Sequence, residues 1–313
     1  MDCDYHILDV FTDTPFAGNP LAVFPDARGL TAGQMQRIAR ELNLSETVFL
    51  LPAGSAAGTR RVRIFTPGRE VPFAGHPTVG AAFFLVASGQ VPLEGDEVTV
   101  VLEEAVGPIP VRVRGRGGVP VSAELTAAAP AHETPAPWDR ATLGALVSLP
   151  GEAVGMPEGQ AGVAGPWDPA FASAGLAFLV LPVRSRELAG RAALDSAVWR
   201  RLLPEGAESR MVYVVAPAGE EEDADFRVRM FGPDVGVPED PATGSAAAAL
   251  GAYLGSRLPD GLHRWRLRQG VEMGRPSRLA LTVEVQGGAA RVIRVAGAAV
   301  RIAQGSMRAP PGP

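Results

Sequence analysis

Lysine is absent from this sequence of 313 residues, so all 29 of its permanently basic side chains are arginine. Without lysine the chain cannot form a Schiff base with pyridoxal phosphate or with a carbonyl substrate. It also lacks the lysine of a phosphate-binding P-loop and of a Ser/Lys catalytic dyad. These classes of enzyme are excluded.

Cysteine and histidine are nearly as scarce. The single cysteine is Cys3, which excludes an internal disulfide, a CxxC zinc or redox site and a pair of catalytic thiols. The four histidines, His6, His76, His132 and His263, are far apart and lack the spacings of metal-binding helices. We therefore predict neither a metal site nor a bound cofactor.

Charge and hydropathy narrow the possible partners. The formal net charge is −5, and arginines in residues 112–116 and 264–268 alternate with apolar residues, as on a strand with one solvated face. We expect no nucleic-acid partner. No apolar run approaches the roughly 18–20 residues that span a bilayer, and the first residues do not resemble a signal peptide. We expect a cytoplasmic protein without a membrane partner.

The local patterns of the first ninety residues predict alternating strands and helices. Residues 5–11 read as a strand, and Thr31 with Gln34 forms a capping-box signature that opens a helix ending near Asn43. Glu46–Leu51 is β-branched and apolar and reads as a buried strand. The all-apolar run 79–87 predicts a helix that other structure must surround.

An internal repeat is the most informative feature of the chain. Residues 61–67 (RVRIFTP) align with residues 227–233 (RVRMFGP) at an offset of 166, and residues 77–82 align with 242–247 after one residue is dropped. Both copies read as strand, proline-containing loop, small-residue turn and apolar helix. An offset near half the chain length predicts a duplicated domain.

We place the two domains at residues 1–125 and 126–290, with residues 291–305 as a candidate to complete the first. The Ala- and Pro-rich residues 126–137 read as the linker, and residues 290–302 as a strand. A pseudo-twofold axis would relate the two domains, and the start of each apolar helix would then face a cleft between them. Such helix starts bind anions, so a small carboxylate-bearing substrate fits there. Alternatively, Asp240, Thr243 and Ser245 only cap their helix.

Glu46 is the leading candidate for acid/base chemistry. It opens a buried strand, and partial burial raises the pKa of a glutamate toward the range that a general acid/base needs. An exposed glutamate at a strand edge is the alternative interpretation. His76 precedes the apolar helix and reads either as a proton-transfer group or as a structural, hydrogen-bonded histidine.

Five ordered motifs carry a family resemblance that runs from about residue 4 to about residue 300. They are Asp9-Val10-Phe11 with Pro15-Phe16-Ala17-Gly18-Asn19-Pro20, Leu44-Ser45-Glu46-Thr47, Phe73-Ala74-Gly75-His76-Pro77-Thr78, Asp240-Pro241-Ala242-Thr243-Gly244-Ser245 and Met273-Gly274-Arg275-Pro276-Ser277. The sequence resembles the PhzF-like isomerases of phenazine biosynthesis, relatives of diaminopimelate epimerase. The resemblance implies an α+β fold of two similar domains, each a β-barrel-like sheet around a central helix, with the active site between them.

The resemblance also implies roles for individual residues. Glu46 would be the acid/base, His76 and Asp240 would assist proton transfer, and the substrate would contact Asn19, Gly75, Gly244 and Ser245. Where the epimerase relatives use two cysteines, this chain has Ala74 and Thr243. The expected protein is a cofactor-independent isomerase and a homodimer.

The predicted reaction is relocation of a proton on a small carboxylate-bearing metabolite. With a single leading base, Glu46, we predict that the proton returns to the face from which it left, along a conjugated or allylic substrate. Inversion at a stereocentre would demand a second base, for which Asp240 is the candidate. A binding protein that keeps the cleft but has lost catalysis is the competing hypothesis, and the sequence does not name the substrate.

Overall fold

The computed structural model describes residues 2–127, 130–219, 222–233 and 237–312. Its strands are β1 (Asp2–Val10), β2 (Asn19–Phe24), β3 (Glu46–Leu51), β4 (Arg60–Phe65), β5 (Glu70–Val71), β6 (Glu97–Glu104), β7 (Gly107–Arg116), β8 (Val119–Thr126), β9 (His132–Pro135), β10 (Ala170–Ser173), β11 (Ala177–Pro182), β12 (Val212–Pro217), β13 (Phe226–Gly232), β14 (Val237–Asp240), β15 (Gly261–Gln269), β16 (Ser277–Val285), β17 (Ala290–Gly297) and β18 (Ala299–Arg308). Its helices are α1 (Ala32–Leu42), α2 (Gly75–Ala87), α3 (Arg140–Leu146), α4 (Arg186–Arg191), α5 (Ser196–Leu202) and α6 (Gly244–Gly255), and two short 3₁₀ turns cover Gly151–Ala153 and Gln160–Gly162.

The fold is α+β, with parallel and antiparallel strand pairs and few helices. The chain forms two compact units. The first comprises Met1–Thr126 and Ala296–Pro313, and the second comprises Ala127–Val295. None of the helices in the described ranges is long and apolar enough to cross a membrane.

In the first unit, the strands surround one apolar helix. The hydrogen-bonded neighbours run β18, β1, β2, β3, β4, β6, β7 and β8, and the pairs β2/β3 and β4/β6 are parallel. Helix α2 packs against β1, β2, β3, β6, β7 and β8, and every residue from Gly75 to Val86 is buried. The predicted apolar helix is confirmed. It starts at Gly75, four residues earlier than predicted, because Pro77 is tolerated in a first helical turn.

Helix α1 covers the other side of this sheet, and its sequence determines both of its ends. Thr31 and Gln34 form the predicted capping box, and Asn43 ends the helix in the left-handed conformation at φ 50°. Met35 and Ile38 face a core built on Phe24 and other aromatic side chains of β2, β3 and β4. The apolar stripe read from the sequence is therefore the buried face of the helix.

The second unit places α6 against β9, β10, β11 and β16. Its strands pair in the order β9, β10, β11, β12, β13, β15 and β16, and β14 folds back along β13. Helices α3, α4 and α5 contribute to a separate apolar core around Leu179, Val214 and Trp199. The two arginine-rich segments read as half-solvated strands are β7 and β15, as predicted.

Two of the sequence predictions require correction. Residues 126–137 are not only a linker, because His132–Pro135 forms β9 and pairs with β10; residues 128 and 129 lie outside the described ranges. The four-residue strand carries a proline and has no alternating pattern, which hides it in the sequence. Residues 290–302 are not one strand but parts of β17 and β18, and β18 pairs along the whole of β1.

Candidate active site

Three of the predicted site residues meet at one edge of the first unit. Strands β2 and β3 run parallel with Leu21 opposite Glu46, so Asn19 and Glu46 both stand where their strands begin. His76 is the second residue of α2. The structure thus brings Asn19, Glu46 and His76 together.

The turn before β2 fixes Asn19. Gly18 has φ +66°, and a Cβ at this position would lie 2.4 Å from the carbonyl oxygen of Val10, so only glycine fits. The fully buried carboxylate of Asp9 accepts a hydrogen bond of 2.7 Å from the backbone N–H of Phe16, which also has a positive φ of 66°. This strained turn holds the Asn19 side chain in a fully buried position.

A chain of polar contacts links these residues to each other. Ser45 Oγ donates to Asn19 Oδ1 at 3.0 Å, and Asn19 Nδ2 lies 3.2 Å from His76 Nδ1. Because an amide nitrogen only donates, His76 Nδ1 is the acceptor and the ring proton sits on Nε2. That nitrogen lies 3.5 Å from Glu46 Oε2. The protonated ring nitrogen therefore lies beside the Glu46 carboxylate, at a distance longer than a hydrogen bond.

Burial keeps this imidazole uncharged. His76 is 4% exposed, and desolvation lowers its pKa to about 3. At neutral pH the ring is a fixed hydrogen-bond donor and acceptor, not a cation. The side chain of Glu46 is 17% exposed, which leaves this carboxylate as the accessible end of the chain of contacts.

The second unit carries the other predicted proton-transfer residue, Asp240. It ends β14, just before α6, and is 6% exposed. Thr243 Oγ1 donates to Asp240 Oδ2 at 2.6 Å, while Gln269 Nε2 donates to Thr243 Oγ1 at 2.9 Å and to the Asp240 carbonyl oxygen at 2.8 Å. Gln269 Oε1 accepts from the Thr243 N–H at 3.1 Å. Gln269 thus orients the Thr243 hydroxyl, and the Thr243 hydroxyl orients the Asp240 carboxylate.

An ion pair next to Asp240 fixes strand β14. Arg229 on β13 binds both carboxylate oxygens of Glu239, at 2.8 and 2.9 Å, and donates to backbone carbonyls of Ala189 and Ala192. Close by, burial and, to a lesser extent, the charge of Asp240 raise the pKa of Tyr213. The Arg229–Glu239 pair thus holds strand β14 in place at the residue before Asp240.

The remaining predicted residues lie at the starts of the two apolar helices. Gly75 is the first residue of α2, and Gly244 and Ser245 are the first two of α6. Thr243 stands at the N-cap position of α6, but its side chain makes no capping hydrogen bond, because its hydroxyl donates to Asp240. Neither Ala74 nor Thr243 satisfies first-turn N–H groups with its side chain, so these groups remain suited to an anion.

Sequence reasoning assigned no role to four polar residues that lie next to the predicted ones. Ser45 binds Asn19, and Gln269 binds Thr243. The other two, Thr78 and Glu104, form a buried pair at the first turn of α2. The available signal was strand alternation, since Glu104 and Gln269 share a face with apolar residues. Over the ranges that the structure describes, no three His, Cys, Asp or Glu side chains are grouped as metal ligands would be.

Comparisons with known proteins cover nearly the whole chain. Residues 8–305 match the family model of phenazine biosynthesis-like proteins. The chain is 41% identical over 308 residues to an uncharacterized isomerase of Mesorhizobium japonicum, covering 97% of this chain and 98% of that protein. It is 35% identical over 304 residues to trans-2,3-dihydro-3-hydroxyanthranilate isomerase of Pseudomonas aeruginosa, covering 96% and 98%. In fold it resembles a phenazine biosynthesis protein of the PhzF family from Bacillus anthracis, with a TM-score of 0.84, 24% identity and coverage of 98% and 99%.

Proposed function

Because the chain belongs to the family of phenazine biosynthesis-like proteins, we propose that it is an isomerase that relocates a proton within a small carboxylate-bearing substrate. The resemblance read from the sequence motifs is confirmed at the level of the family. The proposal assigns the general acid/base to Glu46 and requires no cofactor.

The contact between His76 and Glu46 is the observation that supports this assignment best. A neutral imidazole with its proton on Nε2 places an N–H beside the carboxylate without neutralising it, so Glu46 can accept a proton and return it. With a pKa of about 3, almost no His76 carries the extra proton at neutral pH, so the ring has none to donate as imidazolium. His76 therefore acts as the positioning group and Glu46 as the group that exchanges the proton.

Substrate contacts in the proposal follow the predicted residues. Asn19 and the N–H groups at Gly75 would bind polar groups of the substrate, and the positive end of the helix would stabilise the delocalised anion left by proton removal. Asp240 takes part in proton transfer, and Gly244 and Ser245 contact the substrate. If the reaction inverts a stereocentre, Asp240 is the second base.

The fold proposal that accompanies this function is a duplication. Each unit would be a barrel-like sheet around its apolar helix, and superposition of residues 61–88 on 227–254 tests it. Failure of the two strand, turn and helix segments to overlay would contradict the duplication. A homodimer is the proposed assembly, to be measured by sedimentation of the full chain.

The experiment for the proposed function starts from the substrate named for the relatives. Purified protein is incubated with trans-2,3-dihydro-3-hydroxyanthranilate and then with a panel of cyclic and amino carboxylates. Glu46→Gln is expected to lower kcat by roughly 10²- to 10⁴-fold while leaving the Kd for the substrate nearly unchanged. Glu41→Gln, an exposed change on α1, is the matched control.

Two outcomes would contradict the proposal. Turnover that survives in Glu46→Gln removes the assigned acid/base. Tight binding of a panel member with no turnover by the unmodified chain favours the binding protein instead.

A further inference from the structure

A second glutamate of the first unit is buried against the start of α2. Glu104 ends β6 and points inward with Val100 and Leu102, as alternation along a strand requires, and it is 7% exposed. Its Oε1 lies 2.6 Å from Thr78 Oγ1. Its Oε2 is buried and has no hydrogen-bond partner among the described residues.

The two short contacts of the Thr78 hydroxyl indicate whether Glu104 is protonated or ionised. Thr78 Oγ1 is also 2.7 Å from the carbonyl oxygen of Ala74, an acceptor that receives the backbone N–H of Thr78 as well, at 3.2 Å. A hydroxyl carries one proton, so Thr78 cannot donate to Ala74 and to an ionised Glu104 at the same time. Both short contacts are satisfied only if Glu104 carries a proton and donates it to Thr78.

In the second unit, the neutral side chain of Gln269 stands at the position that corresponds to Glu104. Arg61 of β4 lies opposite the residue before Glu104, and Arg227, its counterpart in the sequence repeat, lies opposite the residue before Gln269. Gln269 uses an N–H donor on the Thr243 hydroxyl, next to the start of α6. A protonated carboxyl offers the same donor and acceptor pair as that carboxamide.

The charged groups around Glu104 have other partners. Arg63 on β4 binds Glu70, and Arg112 on β7 pairs with Glu97 and Glu124. On the opposite face of β6, Glu103 accepts hydrogen bonds from the exposed Gly54–Ser55 turn.

The other charged groups of the adjoining strands also lie away from this carboxyl. Arg60 of β4 donates to Gln90, and Arg114 of β7 pairs with Glu97. The charge of Arg61 acts on Glu103. His76, which is the titratable residue of α2, is uncharged above about pH 3. No cation compensates an ionised Glu104 among the described residues.

We propose that Glu104 is a positioning residue held as an uncharged carboxylic acid, which donates to Thr78 and so fixes the Ala74 carbonyl at the start of the helix that carries His76. The consequence for turnover rests on the proposed isomerase function. The protonation state of Glu104 does not, and it is measured separately.

Alkaline pH should break this arrangement. Burial raises the pKa of Glu104 to about 8, so the acid ionises just above neutral pH. The hydroxyl proton of Thr78 then turns to the carboxylate, and the Ala74 carbonyl keeps only the backbone N–H of Thr78. Since the folded pKa lies above the unfolded value near 4.5, the contribution of Glu104 to stability is full below pH 4.5 and is lost as pH rises to about 8.

Infrared spectroscopy of the full chain tests the protonation state directly. At pH 6.5 exposed carboxyl groups are ionised, so the C=O band of a protonated carboxylic acid is expected in the unmodified chain and in Glu103→Gln, and is expected to be absent in Glu104→Gln. The band should disappear with a midpoint near pH 8. A spectrum of the unmodified chain without this band at pH 6.5 overturns the proposal, whether or not the variant folds.

Unfolding by denaturant gives an independent measurement. Relative to Glu104→Gln, the unfolding equilibrium constant of the unmodified chain should rise by up to about tenfold for each pH unit between about pH 5 and pH 8. Glu103→Gln should follow the unmodified chain over the same range. If the ratio of the unfolding equilibrium constants of Glu104→Gln and the unmodified chain stays constant with pH, the pKa of Glu104 is not elevated.

The effect on catalysis is read from the pH profile once a substrate is turned over. Between pH 7 and pH 9, kcat of the unmodified chain should fall about tenfold through ionisation of Glu104, while that of Glu104→Gln should change less than about twofold. Thr78→Ser should keep the unmodified profile, and Thr78→Val should lose it. Identical profiles for Glu104→Gln and the unmodified chain would overturn the positioning role.

Discussion

Asn19 Nδ2 lies 3.2 Å from His76 Nδ1, and this contact determines which nitrogen of the imidazole faces Glu46. The amide can only donate, so the ring proton is on Nε2. Ser45 holds the amide in this orientation through its contact with Asn19 Oδ1. The tautomer that His76 presents to Glu46 thus depends on an asparagine of the neighbouring strand.

Asn19→Asp should reverse the tautomer of His76. A carboxylate at position 19 accepts a proton from Nδ1, so Nε2 would present a lone pair to Glu46 and repel it. Nitrogen-15 NMR of the His76 ring should show the proton on Nε2 in the unmodified chain and on Nδ1 in the variant. Asn19→Ala should give a mixture of tautomers and lower kcat roughly tenfold. An unmixed Nε2–H tautomer in Asn19→Ala would contradict this dependence.

His76 should make the protein sensitive to acid. Its folded pKa of about 3 lies below the ordinary value of 6.5, so its contribution to stability is full above pH 6.5 and is lost as pH falls toward 3. Between pH 7 and pH 4 the free energy of unfolding should fall by about 3 kcal/mol more in the unmodified chain than in His76→Gln. The exposed His132→Gln should behave as the unmodified chain does. Parallel acid profiles for His76→Gln and the unmodified chain would show that His76 is protonated in the folded state.

The face of the substrate to which the proton returns distinguishes a mechanism with one base from a mechanism with two. If Glu46 is the single base, as proposed, it removes a proton and returns it from its own side, so turnover in heavy water should place deuterium on the face that lost the proton. NMR of the isolated product gives this stereochemistry. Delivery to the opposite face would refute the one-base assignment, and Asp240→Asn would then be expected to abolish exchange on one face only.

Gly80 should not tolerate a methyl group. A Cβ at this position in α2 would lie 2.5 Å from Leu21 Cδ2 and 2.8 Å from Val10 Cγ2. Gly80→Ala should therefore destabilise the protein by about 1–3 kcal/mol through overpacking. Gly33→Ala in α1 has open space around it and should instead be stabilising by about 0.5–1 kcal/mol. Urea unfolding of both variants checks this, and a stabilised Gly80→Ala would mean that the strands around α2 can move apart.

Local signals made the elements of the first unit predictable. The capping box at Thr31 and the left-handed Asn43 are interactions among residues four apart or fewer, and both are written in adjacent sequence. Helix α2 was also predictable from adjacent residues, because its apolar composition excludes a solvated face. Strand β9 escaped prediction because its partner β10 lies at least 35 residues further along the chain and its own four residues lack a pattern.

The candidate site was predictable where a motif named the residue. Asn19, Glu46 and His76 lie in motifs of the family, and the structure brings them into contact. Glu104 and Gln269 lie outside those motifs, and their roles arise from the register of a strand against a helix start more than 20 residues away. In a run such as Glu103-Glu104, only the strand's pairing decides which carboxyl is solvated and which is buried.

The pairing of β1 with β18 has a consequence for synthesis on the ribosome. β1 has β2 on one side and β18 on the other, and the register runs from Asp2 opposite Arg308 to Val10 opposite Ala299. Nearly 290 residues therefore separate the two strands, which at about 5–20 residues per second means roughly 15–60 s before β1 obtains its second neighbour. Until then the nascent chain exposes a nine-residue strand edge that any other extended segment can occupy. Chaperone capture of the nascent chain during this interval would shield that edge from aggregation.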